Sequence, residues 1–278
     1  MLIRDFIKNP NGAYILEKVL NKDKTWLFLH DDREVPKYAI EILNKVKSGY
    51  PIEYIFEEVY FYTDKFYIKE GVLIPRDDTE VVVEKAIQLI NEKCKVKSEK
   101  CKVIDCCTGS GVIAIEIAKH SNAKVIATDI SDMAIEACRK NIMLSEMKDK
   151  IYIVKGDLLK ILEENSQKEK IEIEKLGFEI ENGFIKADIL VSNPPYVENF
   201  WQKPNEYEPD LAFYGGDDGL DIVKKLIIQA ISLKYKAAVI EIGYNQKEKL
   251  SAFLKDKVKS FEFFEDLAGN VRGVEIIF

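Results

Sequence analysis

Beyond Lys102 the chain alternates short β-branched runs with stretches of helical apolar spacing, and this rhythm constrains the fold more than any other feature. Strands joined by crossover helices run parallel in one sheet with helices on its faces. The runs lie at 103–105, 125–128, 151–154, 189–192, 237–242, 261–264 and 274–277. Only Gly269-Asn270 and a few neighbours separate the last two, too little for a helix, so an antiparallel hairpin is expected to end the sheet. The expectation is α/β: a Rossmann-like, mostly parallel seven-stranded sheet with a terminal antiparallel hairpin.

The rest of the chain arranges itself around that unit. Up to residue 55 apolar residues recur at helical spacing, as in Ala13, Leu16 and Leu20 and in Tyr38, Ile42, Leu43 and Val46, which predicts a small helical domain over 1–55. Residues 56–80 turn aromatic around Thr63-Asp64-Lys65 and read as a β-hairpin linker, leaving 81–278 as the main domain. The lysine-rich stretch 93–102 reads as a solvated connector, and the glutamate- and lysine-rich stretch 159–186 as a surface insertion. No window approaches the roughly 20 apolar residues of a membrane span, and an acid follows closely on the start, which predicts a soluble cytoplasmic protein. With 41 Lys+Arg against 48 Asp+Glu, a net charge of -7 disfavours a nucleic-acid substrate, whose phosphates are bound by cations. Two histidines, His30 and His120, leave little for a zinc site or a Ser-His-Asp triad. Five cysteines without a Cys-x-x-Cys pair fit reduced thiols.

Two motifs carry chemistry. The first is Val103-Ile104-Asp105-Cys106-Cys107-Thr108-Gly109-Ser110-Gly111, followed by an apolar helix. Glycines at a strand-to-helix turn permit positive φ and let a ligand touch backbone, while the helix start offers free N–H groups. Asp129 ends the next strand, where a carboxylate can accept both hydroxyls of a ribose. This is a nucleotide cradle, compatible with either dinucleotide or methyl-donor chemistry.

The second motif, Ser192-Asn193-Pro194-Pro195-Tyr196, distinguishes them. Both prolines fix φ and lack donors, and Pro194 drives Asn193 into an extended conformation. The Asn193 side-chain carbonyl and the Pro194 backbone carbonyl can then converge on one planar NH2 group, with Tyr196 supplying an aromatic face. An amide or exocyclic amine is a poor nucleophile, and gripping both hydrogens points its lone pair at an electrophile. Three acids, Asp217, Asp218 and Asp221, on a glycine-rich loop are read as capping the helix after them, with no metal. Glu241, on an apolar strand, is read as a buried acid with a local partner.

With these residues in view the chain resembles, along nearly its whole length, the peptide-chain release factor N5-glutamine methyltransferases, the HemK-like family. Further shared elements are Leu73-Ile74-Pro75-Arg76 with Thr79-Glu80, Glu208-Pro209, Gly215-Gly216-Asp217, Glu241-Ile242-Gly243 with Gln246, and Asp266-Leu267-Ala268-Gly269. The resemblance implies a class I S-adenosylmethionine-dependent methyltransferase domain preceded by a helical substrate-docking domain. It implies that Cys107, Thr108, Gly109, Ser110, Gly111, Asp129, Asp157, Leu158 and Asn193 hold S-adenosylmethionine, released as S-adenosylhomocysteine. It implies that Asn193, Pro194, Pro195 and Tyr196 bind the glutamine of a Gly-Gly-Gln segment in release factors, with Asn193, Pro194 and Tyr196 catalytic. The chain departs from the family pattern in Cys106-Cys107 for Leu-Gly, in Asp77-Asp78 for Pro-Glu, and in Lys234-Tyr235-Lys236 where a glycine pair is usual. Three other readings stay open: a glutamine methyltransferase of a ribosomal protein, an adenine-N6 nucleic-acid methyltransferase, and a non-catalytic binder that retains the cofactor fold. A nicotinamide dehydrogenase leaves the Asn193–Tyr196 motif unused.

Overall fold

The computed structural model describes residues 1–93, 100–161 and 167–278, so the expectations for Cys94, for most of the connector and for 162–166 lie outside the described residues. The chain divides into two compact units, Met1–Phe56 and Glu57–Phe278. The aromatic stretch after Phe56, expected as a linker, belongs to the second unit.

The first unit holds α1 (Ile3–Phe6), α2 (Gly12–Leu20), α3 (Lys24–Leu29), α4 (Lys37–Lys47) and α5 (Ile52–Phe56). Asp23 caps α3 by accepting the Trp26 N–H at 2.7 Å, and Asn21 ends α2 in the left-handed region at φ 52°. Ile3, Phe6, Ile15, Leu16, Leu27, Ala39, Ile42 and Leu43 form its core.

In the second unit a hairpin of β1 (Glu58–Phe61) and β2 (Asp64–Tyr67) precedes α6 (Glu80–Lys93). The main sheet follows: β3 (Lys102–Cys106), α7 (Val112–His120), β4 (Lys124–Asp129), α8 (Asp132–Leu144), β5 (Ile151–Asp157), β6 (Lys160–Ile161), α9 (Gln167–Lys175), β7 (Glu179–Glu181), β8 (Phe184–Lys186), β9 (Ile189–Ser192), α10 (Asp221–Ser232), β10 (Ala237–Glu241), α11 (Lys247–Leu254), β11 (Ser260–Glu265) and β12 (Val271–Ile277). The order is β11-β12-β10-β9-β3-β4-β5-β6-β8-β7. From β10 through β5 the strands are parallel, and β12 pairs antiparallel with both β10 and β11, as the short Gly269-Asn270 connection requires. Side chains alternate across the sheet, so Ile104, Ile126, Val154, Leu190 and Ala238 share one face with α10 and α11, while α6, α7 and α8 pack on strands from the other. Among the described residues no helix is long and apolar enough to cross a membrane.

The stretch 159–186 differs from the expected surface insertion. Its strands β6, β8 and β7 continue the sheet antiparallel beyond β5, which makes ten strands rather than seven. Leu159, Ile161, Ile173, Phe178 and Ile185 are buried in the core shared with α10. The physical reason is that β5 would otherwise expose a row of unpaired N–H and C=O groups, and the insertion covers that edge. Cys106, Cys107 and Cys138 are free thiols.

A parallel sheet places its ligand crevice at the C-terminal strand ends where the connections change direction. Here β3 leads outward to β4 and β5, and the chain then returns to β9 on the other side of β3. Both sequence motifs follow strands at that switch point.

Candidate active site

The turn after β3 is built around Asp105. This side chain is fully buried; its Oδ2 accepts the Thr108 hydroxyl at 2.5 Å and the Ala114 N–H at 3.1 Å, tying the loop to the first turn of α7. Burial pushes the Asp105 carboxyl up to about 7 against those two hydrogen bonds. Gly111 begins α7 at φ 85°, and a Cβ there would stand 2.5 Å from the Cys138 sulfur. Gly109 also has positive φ, 56°, but a Cβ on it would meet nothing within 4 Å, because it faces the crevice. Cys107 adopts φ 59°, the left-handed region that suits the glycine usual in the family. The backbone path is thus kept with a cysteine, at a cost of about 1–2 kcal/mol.

Asp129 ends β4 with Oδ2 on the Gly109 N–H and Oδ1 on the Ser131 N–H, both at 2.9 Å. Burial raises its pKa, and these backbone donors oppose the rise. A carboxylate offers about four lone-pair sites, so Asp129 can accept further hydroxyls. Beyond it, β5 ends in Gly156 and Asp157, and Leu158 follows at φ 57°.

These strand ends enclose a cavity of about 1220 Å³, open solvent at its mouth included. Of the residues expected at the site, Cys107, Thr108, Gly109, Ser110, Asp129, Asp157, Leu158, Asn193 and Pro195 line it. Gly111, Pro194 and Tyr196 are not among its lining residues; Gly111 serves the close contact with α8, and the Tyr196 hydroxyl is taken up by Glu241. Thr79, Pro75 and Leu211 line the cavity without having been assigned a role from sequence. Their signal was present in the Ile-Pro-Arg and Glu-Pro elements, which mark a family and not a chemistry. A bare Gly109 backbone, a carboxylate with spare acceptor sites and an apolar wall of Ile113, Ile130, Ala134 and Leu158 fit an adenosine-bearing cofactor.

The Asn193–Tyr196 segment is held from three sides. Asn193 Nδ2 donates to the Thr79 hydroxyl at 3.1 Å, and the Tyr196 hydroxyl donates to Glu241 Oε1 at 2.9 Å. Glu241 is therefore the buried acid with a local partner that its strand position implied. Burial pushes its carboxyl up to about 7, opposed by the hydrogen bond from Tyr196. Burial and the neighbouring Glu241 in turn raise the Tyr196 phenol well above its ordinary value. Gln246 Nε2 donates to the Tyr196 carbonyl at 2.7 Å. Cβ atoms on Gly215 and Gly219 would fall 2.5 Å from the Pro195 carbonyl oxygen and 2.1 Å from that of Tyr196, so the glycine-rich segment exists to let two backbones touch.

Across the mouth, Glu208 is 1% exposed and accepts the Ile74 N–H at 3.0 Å, Arg76 Nη2 at 2.6 Å and Asn205 Nδ2 at 2.8 Å. It joins the Ile-Pro-Arg element to the loop carrying Pro209 and Leu211. Asp78, at a departure from the family pattern, pairs with Arg272 at 2.7 Å. Lys234 takes φ 59° where the family has glycine. The helix after the acidic loop has no side-chain cap: Asp218 instead accepts the Leu220 N–H and pairs with Lys224, and Asp217 accepts from Asn199.

A mostly parallel sheet with this glycine turn, the Asp129 carboxylate and the Asn193–Tyr196 segment at its switch point defines a class I S-adenosylmethionine-dependent methyltransferase. Solved structures agree on the fold: the methyltransferase domain of METTL16 lacking its N-terminus aligns with TM-score 0.55 at 21% identity, covering 74% of this chain and 84% of that one. The N-terminal domain of human METTL16 in complex with SAH aligns with TM-score 0.53 at 18% identity over 76% and 75%. Residues 83–176 match the family model described as ribosomal protein L11 methyltransferase (PrmA). The chain belongs to the release factor glutamine methyltransferase family. It is 34% identical over 279 residues to the Clostridium botulinum member, covering 95% of this chain and 90% of that one. It is 31% identical to the Dictyoglomus turgidum member over 285 residues, covering 97% and 93%.

Proposed function

We propose that this protein transfers the methyl group of S-adenosylmethionine to the side-chain amide nitrogen (N5) of the glutamine in the Gly-Gly-Gln segment of a peptide-chain release factor. On this reading the protein works in the cytoplasm, and the helical unit Met1–Phe56 docks the substrate protein. The observation that carries the reading is the orientation of Asn193. Its NH2 end is committed to Thr79, so its carbonyl end is left to accept hydrogen bonds at the cavity.

S-adenosylmethionine, when bound, supplies an already activated methyl group. Thr108 to Ser110 and Asp129 would hold it, the loop through the backbone that Gly109 leaves bare toward the cavity and Asp129 through its carboxylate, with Asp157 and Leu158 beside its base. Asn193 Oδ1 and the Pro194 carbonyl would accept the two hydrogens of the glutamine amide, fixing its plane. Tyr196, anchored through its hydroxyl to Glu241, keeps that segment rigid. No strong base is needed before transfer; positioning supplies most of the acceleration, and the surplus proton leaves once the nitrogen carries the methyl.

The test incubates the protein with methyl-labelled S-adenosylmethionine and, in separate reactions, an intact release factor, a ribosomal protein and adenine-containing DNA, and locates the label by mass spectrometry. Label on the Gly-Gly-Gln glutamine is expected, with Asn193→Ala lowering kcat/KM at least about 100-fold while cofactor affinity stays within a few-fold. Label confined to DNA or to the ribosomal protein overturns the substrate, and full activity of Asn193→Ala overturns the site. The match to the ribosomal protein L11 methyltransferase model ends at residue 176, before Asn193, and so bears on the cofactor half alone.

A further inference from the structure

We infer that Asn141 is a positioning residue for the cofactor: its side-chain amide locks the Ser110–Gly111 peptide, in the turn after β3, to the cavity wall that follows β2. Asn141 is not among the lining residues. The inference goes beyond the acceptor chemistry above and rests only on the cavity being the S-adenosylmethionine site.

Asn141 lies in α8 and is 1% exposed, so its polar atoms need partners within the protein. Its Nδ2 donates to the Ser110 carbonyl at 2.8 Å and to the Tyr67 carbonyl at 2.9 Å, and its Oδ1 accepts the Tyr67 N–H at 2.7 Å. An asparagine amide has two hydrogens to donate, and both are taken. Turned over, the amide would set its oxygen against two carbonyls and its NH2 against an N–H, so the three bonds fix a single orientation. Tyr67 closes β2, and Asn141 stands to it as a neighbouring strand would, pairing with its N–H and its C=O together.

The Ser110 carbonyl is the group that needs holding. Gly111 takes φ 85°, and its N–H donates to the Thr108 carbonyl at 2.9 Å, closing the turn. A flip of the Ser110–Gly111 peptide rotates ψ of the first residue and φ of the second in opposite senses, and a glycine accepts either sign of φ. The glycine that permits this turn therefore also permits the flip, which would break the bond to Thr108. Asn141 prevents it by holding the Ser110 carbonyl toward α8. Cys138, three residues earlier on the same face of α8, holds the other side of the peptide, since a Cβ on Gly111 would fall 2.5 Å from its sulfur. At the far end of the clamp, Tyr67 leads through the fully buried Ile68 into Gly71, Val72, Leu73, Pro75 and Arg76, which line the cavity opposite the turn's own Thr108, Gly109 and Ser110. One buried amide thus ties two stretches of the lining into a single frame, and the cofactor meets a site already formed and does not bear the cost of ordering it.

The test compares the full-length wild type with Asn141→Leu, which keeps the branched shape and removes all three bonds, and Asn141→Asp, which keeps an acceptor for Tyr67 and loses the NH2 group. Calorimetry with S-adenosylmethionine alone, on protein whose near-ultraviolet circular dichroism matches wild type, should give a Kd raised about 10- to 100-fold in both variants, the effect of losing two or three neutral hydrogen bonds. In turnover with an intact release factor, KM for S-adenosylmethionine should rise by the same factor, while kcat at saturating cofactor and KM for the release factor stay within about threefold. A merely structural role would lower kcat and binding stoichiometry with the loss of folded protein and leave Kd and KM for the cofactor unchanged. A wild-type Kd in folded Asn141→Leu overturns the inference. Binding is read without any acceptor, so a release factor that takes no label removes the substrate reading and leaves this one standing. Should neither variant fold, hydrogen exchange in the cofactor-free wild type decides: the Tyr67 and Gly111 amides should be protected at least about 100-fold over the unfolded chain, and exchange as fast as in an open loop overturns the clamp.

Discussion

Glu116 is a second buried acid, remote from the proposed chemistry, and its replacement by glutamine gives a quantitative test of the electrostatics. It sits on α7 with no exposed surface; His120 Nε2 stands 3.2 Å from its Oε2, and neither carboxylate oxygen has a hydrogen bond of good geometry among the described residues. Burial first, and then the neighbouring Asp64 carboxyl, push it from an ordinary 4.5 up to about 8, with Lys119 acting in the opposite direction. Because the folded state holds this proton more tightly than the unfolded chain, the stabilising contribution is complete below about pH 4.5 and is lost as pH rises through about 8. At about 1.4 kcal/mol per pH unit, the loss accumulated by pH 7 is at most about 3 kcal/mol. Glutamine stays neutral throughout, so Glu116→Gln should match wild type near pH 4.5 and exceed it by up to about 3 kcal/mol at pH 7, with a larger excess at pH 8. Urea denaturation followed by circular dichroism at pH 5, 6, 7 and 8 measures this difference. Asp105 and Glu241, both raised to about 7, give slopes of the same sign in both proteins and cancel. Parallel stability curves for the two proteins, or a variant less stable at pH 8, would refute the reasoning.

Two further outcomes follow from the cavity walls. Gly111→Ala forces a Cβ to 2.5 Å from the Cys138 sulfur at φ 85°; it should lower stability by about 2–3 kcal/mol and weaken S-adenosylmethionine binding in calorimetry. Adding Cys138→Ala should recover part of that loss, whereas unchanged binding in the single variant would contradict the loop geometry. Arg76→Ala leaves the Glu208 carboxylate, 1% exposed, without its cation. A loss of about 2 kcal/mol is expected, seen as a lower Tm, together with faster cofactor dissociation as Pro75 and Leu211 lose their common anchor.

What could be read from the residues alone was whatever chain-local rules decide. Short β-branched apolar runs mark strands, Gly109 and Gly111 mark positions where the backbone must take positive φ, and Pro194 and Pro195 stiffen a strand end whatever surrounds them. Those signals located the central parallel strands, the closing hairpin and both halves of the crevice. Tertiary packing decided the rest, because the partners lie far apart in the chain. Arg76 meets Glu208 132 residues away, and Asn193 meets Thr79 114 residues away. No local pattern pairs such residues. The stretch 159–186 shows the same limit: its glutamates and lysines describe only its outward faces, while Ile173, Phe178 and Ile185 are buried because β5 had an edge to cover. Likewise the family resemblance implied that all four residues of the Asn-Pro-Pro-Tyr segment bind the ligand. The folded chain turns Asn193 and Pro195 to the cavity and sends the Tyr196 hydroxyl to Glu241, because a buried phenol must spend its hydrogen on an acceptor that only the assembled sheet supplies.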